Sequence, residues 1–473
     1  MKSIFRHEIP YSYSSILLFD SIRDMPEAIW LDSGKPTSDK GSLDIISSCP
    51  DVMIETRGNE STISSENSSR TSLEDPFSLA NEVLETLLPI EPKHQDLPFV
   101  GGMLGYFGYD LGRRLIDIPS IASSVTELPD MRIGRFLWAL IVNHDLKKSQ
   151  IVFHQNCSEE LKTDVLNRLT KPSTKPSTKP SIDPNSLFKL NQAFKPTLTR
   201  PEYAEAIGKI KDYISSGDCY QTNFTQHFSA SFKGDPWLAY LALREALPSP
   251  FSAYWKWQDQ AVLCISPERF LKVSNSASGD RLQAETKPIK GTIPRGLSLI
   301  EDQERAASLV SSTKDRAENL MIVDLLRNDL SKNCIPGSVK VPQLFAVESF
   351  VNVHHLVSTV TGDLSDSSSP IDLLRDCFPG GSITGAPKRR AMEIIEQLEP
   401  VRRSVYCGSI GYVSANNQMD TNIAIRTILA SSAVMHCWGG GGIVADSEAE
   451  SEFEESMDKI KLLLKTLEDL TDS

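Results

Sequence analysis

The sequence predicts a large protein that mixes helices and strands, built either as two domains or as one large two-layered unit. At 473 residues the chain exceeds the size at which a single hydrophobic core usually stops growing. Some segments repeat their apolar residues with helical spacing, whereas others alternate apolar and polar residues as strands do. Both patterns occur in each half of the chain, which indicates a mixed fold.

The N-terminal region contains predicted elements of each type. Residues 14–34 indicate a short helix and then a strand that ends near Asp32, with Gly34 in the turn. Residues 57–75 are rich in Ser, Glu and Asn and favour an exposed loop. Pro76–Leu88 has the spacing of a helix whose apolar face lies in a core.

Glycines separate aromatic and aliphatic residues in Phe99–Asp110. They favour strand packing over phosphate binding, because no helix start of the G-x-G-x-x-G type follows. Residues 136–142 and 150–154 then indicate paired strands. Lys171–Ser181 repeats KPST, a composition that cannot build a core and is typical of a loop or linker. The repeat helps to place a boundary near residue 195, between regions 1–195 and 196–473.

Regular elements follow that boundary. Arg200–Ser215 has the spacing of an amphipathic helix, and residues 219–228 alternate as a strand. Another strand is predicted over residues 261–273, where a Ser-Pro-Glu-Arg-Phe segment interrupts it. The carboxylate of that segment, Glu268, is either an ion-pair partner of Arg269 or an acid–base group.

A glutamate and a histidine pair occupy the next elements. Asp315–Leu330 predicts a helix, and Glu318 in its first turns either complements the helix dipole or belongs to a site. Strands are predicted within residues 339–356 and end at His354-His355. Adjacent residues of a strand point to opposite faces, so only one of these histidines can face a site.

A glycine-rich segment and an arginine suit the binding of an anion. Gly380–Lys388 is predicted to open a helix, where backbone N–H groups favour a carboxylate or a phosphate. It is not a Walker A loop, because Ala386 and Pro387 separate the last glycine from the lysine. Arg426, predicted on a strand over residues 421–429, would supply a bidentate clamp for such a group.

The last predicted helix carries charges on one face. It follows Gly439–Gly442, and Glu452, Glu455 and Lys459 lie on it at positions i, i+3 and i+7. This face is either an ordinary solvated surface or a set of hard oxygen ligands for Mg²⁺ with a cation beside them. Because Mg²⁺ usually takes one or two protein carboxylates, Glu318 and Glu455 together would suffice.

Lys290 lies in a stiffened segment, Thr286–Gly296. Pro288 and Pro294 fix φ on either side of it, and Gly291 permits conformations that a Cβ would obstruct. A lysine on such a segment becomes a nucleophile when burial or a neighbouring cation lowers its pKa. Most lysines are instead solvated surface charges, so the segment alone leaves both interpretations open.

Composition narrows the class of function. A net charge of -13 and a pI near 5.2 disfavour binding to nucleic acid or to anionic membranes, because both need basic surface. Eight cysteines without a Cys-x-x-Cys pair predict reduced thiols in a cytoplasmic protein. The N-terminus has no apolar signal region, and no run approaches the ~18 apolar residues of a membrane span. We therefore expect a cytoplasmic protein whose partners are a small molecule or another protein, with no nucleic acid and no membrane.

Taken together, several segments resemble the chorismate-utilising enzymes. They follow one order along nearly the whole chain: DLPFVGGMLGYFGYDLGRR, SGDCYQTNF, SPERF, PIKGT, DRAENLMIVDLLRNDL, FPGGSITGAPKRRAMEIIEQLEP, CGSIGY, GGGGIVADS and EFEESMDK. The KPST repeat departs from the family pattern, but it falls between the two regions and affects no site residue.

The resemblance implies an α+β fold of large orthogonal antiparallel β-sheets clad in helices, with chorismate and Mg²⁺ bound in a cleft. It implies that Glu318 and Glu455 are Mg²⁺ ligands and that Glu452 is a further carboxylate of the metal site. Residues that match the family motifs would hold or flank the substrate: Asn223, His355, Ser382, Tyr412, Arg426, Gly440, Gly441, Gly442 and Lys459.

Lys290 distinguishes this chain from the anthranilate-forming relatives, which have PIAGT where this chain has PIKGT. The resemblance therefore implies the branch that aminates chorismate at C4 and leads to 4-aminobenzoate and folate. In the implied reaction Lys290 attacks C2 with loss of the C4 hydroxyl, and Glu268 serves as the acid–base group. Ammonia then enters at C4 and expels the lysine.

Other members of the family are the alternatives. Relatives that form isochorismate or salicylate use a lysine to activate water where this chain has Gln221, which cannot serve as that base. A non-enzymatic chorismate-binding protein would be expected to lose Lys290, Glu318 or Glu455, and all three are present. No glutaminase motif is visible, so the resemblance implies a separate glutamine amidotransferase subunit. Trp30–Ser33 departs from the element that binds inhibitory tryptophan in anthranilate synthases, which leaves regulation or a structural tryptophan open.

Overall fold

A computed structural model of the protein describes residues 3–38, 41–90, 94–170, 187–276, 279–349 and 353–472. The predicted KPST loop, Lys171–Ser181, lies outside these ranges. Up to residue 170 the elements are β1 (Phe5–Ile9), α1 (Ile16–Asp20), β2 (Ile29–Asp32), β3 (Leu43–Ser47), β4 (Val52–Arg57), β5 (Glu60–Ser65), β6 (Ser68–Ser72), α2 (Pro76–Glu85), β7 (Gly102–Phe107), β8 (Met131–Phe136), β9 (Trp138–Asn143), β10 (Lys148–Phe153) and α3 (Glu159–Thr170).

The remaining elements alternate between strands and helices. As far as residue 331 they are β11 (Lys189–Leu190), β12 (Lys195–Pro196), α4 (Arg200–Ser215), β13 (Gln221–Lys233), α5 (Pro236–Ala246), β14 (Phe251–Trp257), β15 (Gln260–Ser266), β16 (Arg269–Asn275), β17 (Leu282–Thr286), β18 (Ile289–Pro294), α6 (Leu299–Ser311) and α7 (Thr313–Ser331). They continue with β19 (Lys340–Ser349), β20 (Val353–Asp363), α8 (Pro370–Cys377), β21 (Gly385–Ala386), α9 (Lys388–Leu398), β22 (Ser409–Ser414), β23 (Met419–Asn422), β24 (Thr427–Ser431), β25 (Val434–Ile443) and α10 (Ala449–Asp472).

Two large antiparallel sheets form the framework, and they confirm the predicted α+β class. The first has the strand order β1-β10-β9-β3-β2-β14-β15-β24-β25-β13-β11, with β12 and β21 also paired to β13. The second has the order β18-β20-β17-β16-β23-β22-β7-β8-β4-β5-β6, with β19 paired to β20. Each sheet contains strands from both sides of residue 195, and the predicted boundary there stays a prediction.

Two of the places where the chain crosses from one sheet to the other in its second half lie next to each other. β15 belongs to the first sheet and β16 to the second, so Pro267-Glu268 forms one crossing. The other crossing is residues 423–426, between β23 and β24. Ile423 N donates to Glu268 O at 3.0 Å, and Ser266 Oγ donates to Ile423 O at 2.6 Å. The two crossings are therefore bonded to each other. The interruption predicted within residues 261–273 is this change of sheet.

The long predicted helices are confirmed, and their caps explain where they begin. α2 has Asp75 as its N-cap, whose carboxylate accepts from Ser78 N. α4 begins with a capping box, in which Thr199 and Glu202 each accept from the other's backbone N–H. The predicted pairing of residues 136–142 with 150–154 is confirmed as β9 against β10.

The prediction of an exposed loop over residues 57–75 is wrong. This segment instead forms β5 and β6, which continue from β4 at the edge of the second sheet. Gly58 has φ +56 and makes the tight turn between Arg57 and Glu60. Ile63 is buried, whereas all but one residue of β6 are exposed. The polar composition therefore reflected exposure at the sheet edge, where a strand needs few apolar residues.

Aromatic residues pack around Trp30 in the core beside β2 and β14. Its ring is fully buried and lies 5.6 Å from the ring of Phe19 and 6.1 Å from that of Trp237. Next to it, Asp32 forms a buried ion pair with Arg244 at 2.6 Å. All eight cysteines lie in the described ranges and are free thiols. Within those same ranges, no helix is both long enough and apolar enough to cross a membrane.

Candidate active site

A cavity of about 530 Å³ lies beside the two crossings and opens past α7 and α10. Most of the residues that the sequence nominated line it. They are Asn223, Glu268, Lys290, Glu318, His355, Ser382, Arg426, Gly440, Gly442, Glu452, Glu455 and Lys459. Their elements are distant in sequence, so the fold brings the predicted residues into one site.

Tyr412 is not brought to this cavity. It lies on β22 and lines a separate cavity of about 270 Å³, together with Asp32 and Arg269. The tyrosine that lines the larger cavity is Tyr406, which sequence reasoning missed. Tyr406 follows α9 in an irregular segment beside Cys407, whose φ is +64. No periodicity pointed to this residue.

Two charged residues of the first turn of α7, Lys314 and Asp315, also line the cavity and were missed. Lys314 lies four residues before Glu318, which is one helical turn. That spacing was the signal that could have identified it, because residues i and i+4 share a helix face.

Glu268 is placed to be an acid. Its side chain is buried, and burial raises the pKa of this carboxyl to about 7. The charge of Lys290 and contacts with Ser382 and the Ile289 backbone oppose that rise. The alternative role as partner of Arg269 is not what the structure shows, because Arg269 pairs instead with Asp420 at 2.9 Å and with Glu285 at 3.1 Å.

Lys290 lies on β18 and faces the same cavity. Burial lowers the pKa of its ammonium group, and the nearby charge of Lys459 lowers it further. The carboxylates of Glu318, Glu268 and Glu455 act in the opposite direction. The net lowering enlarges the fraction of Lys290 that is a free amine near neutral pH.

Arg426 does not lie on a strand as predicted. It ends the crossing between β23 and β24, with a left-handed φ of +50. Residues other than glycine rarely adopt this conformation, and such strain is concentrated at functional sites. Burial lowers the pKa of Arg426, and the charge of Glu268 opposes the lowering. The guanidinium thus lies near the acid, on the neighbouring crossing.

The histidine pair behaves as predicted. His355 lines the cavity, and its Nδ1 lies 2.7 Å from Thr292 Oγ1 on the adjacent strand β18. Burial lowers the pKa of His355 to about 4, so its ring is neutral near pH 7. His354 points away and lies 3.0 Å from Asp302. The strand itself does not end at these histidines, since β20 continues to Asp363.

The glycine-rich segment is not a helix start. α9 begins at Lys388, after the glycines, and Gly381–Ile383 forms a short 3-10 turn. Lys388 is directed elsewhere, to Asp329 at 2.8 Å. Ser382 in that turn lines the cavity. Any anion held here would therefore meet Ser382 rather than the N-terminus of α9.

The glycines of β25 leave the space that the cavity occupies. A Cβ on Gly442 would lie 2.6 Å from Gln221 Nε2 and 3.6 Å from Lys290 Nζ. A Cβ on Gly441 would lie 3.3 Å from Lys459 Nζ and 3.5 Å from Glu452 Oε2. Gly440 contributes its carbonyl, which accepts from Lys459 Nζ at 3.0 Å. A side chain at Gly442 would therefore fill part of the site, and one at Gly441, which does not itself line the cavity, would press on Lys459 and Glu452.

Unsatisfied polar atoms line the strand opposite those glycines. On β13 both amide atoms of Gln221 and the Oδ1 of Asn223 are buried, and none of these atoms has a hydrogen-bond partner among the residues that the structure describes. Buried polar groups nearly always have partners. Gln221 and Asn223 lie two residues apart and so share one face of the strand. This face is suited to a polar ligand.

Glu318 and Glu455 fit the predicted Mg²⁺ site in donor type and charge. Each carboxylate lines the cavity, and the charge of Glu455 contributes to raising the pKa of Glu318. A divalent cation between them would relieve that repulsion. Glu455 is also 2.8 Å from Lys459 Nζ, and Glu452 accepts from Ser447 Oγ at 2.7 Å. Within the described ranges no three His, Cys, Asp or Glu residues form a metal cluster, but Mg²⁺ commonly takes only one or two protein carboxylates.

The site therefore combines three chemical capacities. Glu268 supplies a proton near neutral pH, and Lys290 supplies an amine of lowered basicity. Cations around the cavity, Arg426 among them, suit an anionic substrate. An acid, an amine and cations in one cavity are suited to displacing a poor leaving group from an anionic molecule.

Comparison with known proteins agrees with these features. The family model of the chorismate binding enzyme matches residues 26–465. Aminodeoxychorismate synthase component 1 of Salmonella typhimurium and of Escherichia coli are each 44% identical over 451 residues, which cover 95% of this chain and 95% of each relative. The crystal structure of anthranilate synthase component I from Streptococcus pneumoniae superposes with a TM-score of 0.77 at 30% identity, covering 90% of this chain and 92% of that one. This protein therefore belongs to the chorismate binding enzyme family.

Proposed function

We propose that this protein is a synthase that aminates chorismate at C4 to give 4-amino-4-deoxychorismate, the precursor of 4-aminobenzoate for folate. The observation that carries the proposal is Lys290, an amine of lowered pKa that shares a cavity with the acid Glu268. Two relatives that are 44% identical bear the name of this activity. Their names include component 1, and we propose that the partner here is a glutamine amidotransferase that supplies ammonia.

In the first half of the reaction Lys290 Nζ, as the free amine, forms a bond to C2 of chorismate. Both ring double bonds shift, and the C4 hydroxyl leaves with the proton of Glu268 as water. The nitrogen of Lys290 then loses a proton, which the Glu268 carboxylate would accept. The pKa of Glu268, about 7, lets this group give and take a proton within the same cycle.

In the second half ammonia forms a bond to C4, both double bonds shift back, and the bond from C2 to Lys290 breaks. Glu268 returns a proton to the departing lysine nitrogen, and the new ammonium at C4 loses one. The hydroxyl is thus replaced by an amino group, one water is released, and the enolpyruvyl group is retained.

The remaining residues would bind and orient the substrate. Arg426, Ser382 and the backbone of Gly440 and Gly442 would hold its carboxylates, which is supported by their position in the cavity lining, where neutral His355 also lies. Glu318 and Glu455, with Glu452 beside them, would hold Mg²⁺. When bound, that ion would neutralise and fix one substrate carboxylate.

The test is to incubate the purified chain with chorismate, Mg²⁺ and ammonium at alkaline pH and to identify the products by mass spectrometry. We expect 4-amino-4-deoxychorismate from the unaltered chain and none from Lys290→Ala. Lys287→Ala is the matched control, because Lys287 belongs to the same segment but pairs with Glu348 at 3.6 Å. Formation of anthranilate or isochorismate, or untouched chorismate, would overturn the proposal.

A second readout follows the adduct itself. Without ammonia, intact-protein mass spectrometry should detect the chain plus chorismate less one water, and proteolysis should map that mass to the peptide with Lys290. If the product forms and no such adduct is detected, the proposed activity stands and the covalent step is wrong.

A further inference from the structure

We propose that Lys314 is a further substrate-binding residue, whose ammonium group receives a carboxylate of the anionic substrate at the opening of the cavity. The inference rests on the proposed function, because chorismate carries two carboxylates. It assigns a role to a residue that the sequence motifs did not nominate.

The backbone beneath Lys314 is fixed against the segment that carries Lys290. Ser312 caps α7 by accepting from Asp315 N at 3.2 Å. Asp315 packs over Gly291, since a Cβ on that glycine would lie 3.0 Å from the Asp315 carboxyl carbon. The first turn of α7 therefore packs at the cavity, against Gly291, the residue that follows Lys290. The Lys314 side chain itself is exposed and lines the opening.

The Lys314 ammonium group makes no side-chain hydrogen bond or ion pair with any other residue that the structure describes. The other cations of the cavity are already assigned. Lys459 contacts Glu455 at 2.8 Å and Gly440 O at 3.0 Å, and Lys290 must be a free amine to react. Arg426 lies at the inner end, on the crossing between the sheets. Among the cationic side chains of the cavity, Arg426 and Lys314 therefore remain for the two carboxylates of the substrate, one of which Mg²⁺ would also contact.

Electrostatics supports a position for Lys314 near the predicted metal ligands. Its charge is among the causes that act on the pKa values of both Glu318 and Glu455, lowering each. Six carboxyl groups line the cavity, namely Asp315, Asp458, Glu268, Glu318, Glu452 and Glu455, against four basic side chains, Lys290, Lys314, Arg426 and Lys459; five against three remain charged when Glu268 is protonated and Lys290 is a free amine. An incoming dianion would meet net repulsion at the opening. Lys314 reduces that repulsion where the substrate passes Glu318 and Glu455.

A cation in this place has opposite effects on the two ligands of the site. It attracts the substrate carboxylate, but it repels Mg²⁺ at Glu318 and Glu455 as long as no substrate is bound. Removing the charge should therefore weaken binding of chorismate and strengthen binding of Mg²⁺. A residue that merely supported the helix would not change the two affinities in opposite directions.

The test compares Lys314→Gln with Lys314→Arg, which keeps the charge, and with Lys461→Gln. Lys461 is an exposed lysine of α10 that does not line the cavity. We expect Lys314→Gln to raise the KM for chorismate about three- to tenfold, because this is the change in affinity that loss of one exposed or partly buried ion pair produces. The kcat should change less than about twofold. Added salt should raise the KM of the unaltered chain more than that of Lys314→Gln.

Calorimetric titration of the substrate-free protein provides the second readout. The Kd for Mg²⁺ alone should fall about threefold in Lys314→Gln and return in Lys314→Arg. An unchanged KM, or a Kd for Mg²⁺ that rises, would overturn the role of Lys314 even when the unaltered chain converts chorismate. If the unaltered chain neither binds nor converts chorismate, the proposed function fails and this inference fails with it.

Discussion

Replacing Glu268 by glutamine should change the pH dependence of stability in a way that reports the burial of this carboxyl group. Its pKa is raised from the ordinary 4.5 to about 7, chiefly by burial. That difference corresponds to about 3 kcal/mol between the protonated and ionised states. Because the folded pKa exceeds the unfolded one, the contribution is fully present below about pH 4.5 and is lost as pH rises through about 7. Glutamine has nearly the same shape and does not ionise.

The assay is unfolding by urea at pH 5, 6, 7 and 8 for the unaltered chain and Glu268→Gln. We expect the variant to gain stability relative to the unaltered chain with rising pH, by an amount approaching about 3 kcal/mol at pH 8. Glu304→Gln, at an exposed position of α6, serves as the control and should give a constant difference. A difference for Glu268→Gln that does not vary with pH would refute the argument that burial keeps this carboxyl protonated.

Activity should report the same ionisation. The reaction requires protonated Glu268 and unprotonated Lys290, so the pH profile of kcat/KM should show one break near pH 7, from Glu268, and a second break at the lowered pKa of Lys290. In Glu268→Gln the break near pH 7 should vanish, and the much lower activity should keep rising until Lys290 has lost its proton. A break near pH 7 that survives the substitution would assign that ionisation to another group.

Two further substitutions test the surroundings of the site. Gly442→Ala should lower kcat/KM about tenfold or more with little loss of stability, because its Cβ would press on the movable Gln221 amide and approach Lys290. Gly208→Ala is the control, because this glycine of α4 has open space around it. It should keep full activity and be as stable as the unaltered chain, or slightly more stable, in thermal unfolding. Arg403→Met should lower the free energy of unfolding in urea by about 3–5 kcal/mol, because it leaves Glu399 as an unpaired buried charge. The double variant Arg403→Met with Glu399→Gln should recover part of that loss. Equal losses in the single and double variants would contradict the role of the unpaired charge.

Local pattern was enough to predict the elements whose ends are set by nearby residues. α4 begins where Thr199 and Glu202 form a capping box, and these residues are visible in the sequence. The shared face of Glu452, Glu455 and Lys459 followed from helical spacing alone, and all three line the cavity. The hairpin of β5 and β6 was missed because strands at the edge of a sheet need few apolar residues.

The site residues that local pattern could not identify lie outside regular elements or depend on tertiary position. Tyr406 and Tyr412 are six residues apart, yet they line different cavities. Tyr412 is fixed by its place on β22, whereas Tyr406 precedes that strand in irregular backbone. Neither spacing nor composition distinguishes them, because the choice depends on which sheet lies behind each side chain.

The change of sheet explains why Glu268 and Arg426 are unusual together. Alternation along residues 261–273 predicted strand correctly, but it carries no information about which sheet a strand joins. At the crossing the chain leaves one sheet before it enters the next, and the side chain of Glu268 faces a cavity that strands of both sheets line. Arg426 leaves through the neighbouring crossing, and the bond from Ile423 N to Glu268 O keeps the two crossings together. Both side chains are buried at these paired crossings, and this burial raises the pKa of Glu268 and lowers that of Arg426. The chemistry of the site is thus a property of where the chain passes between sheets.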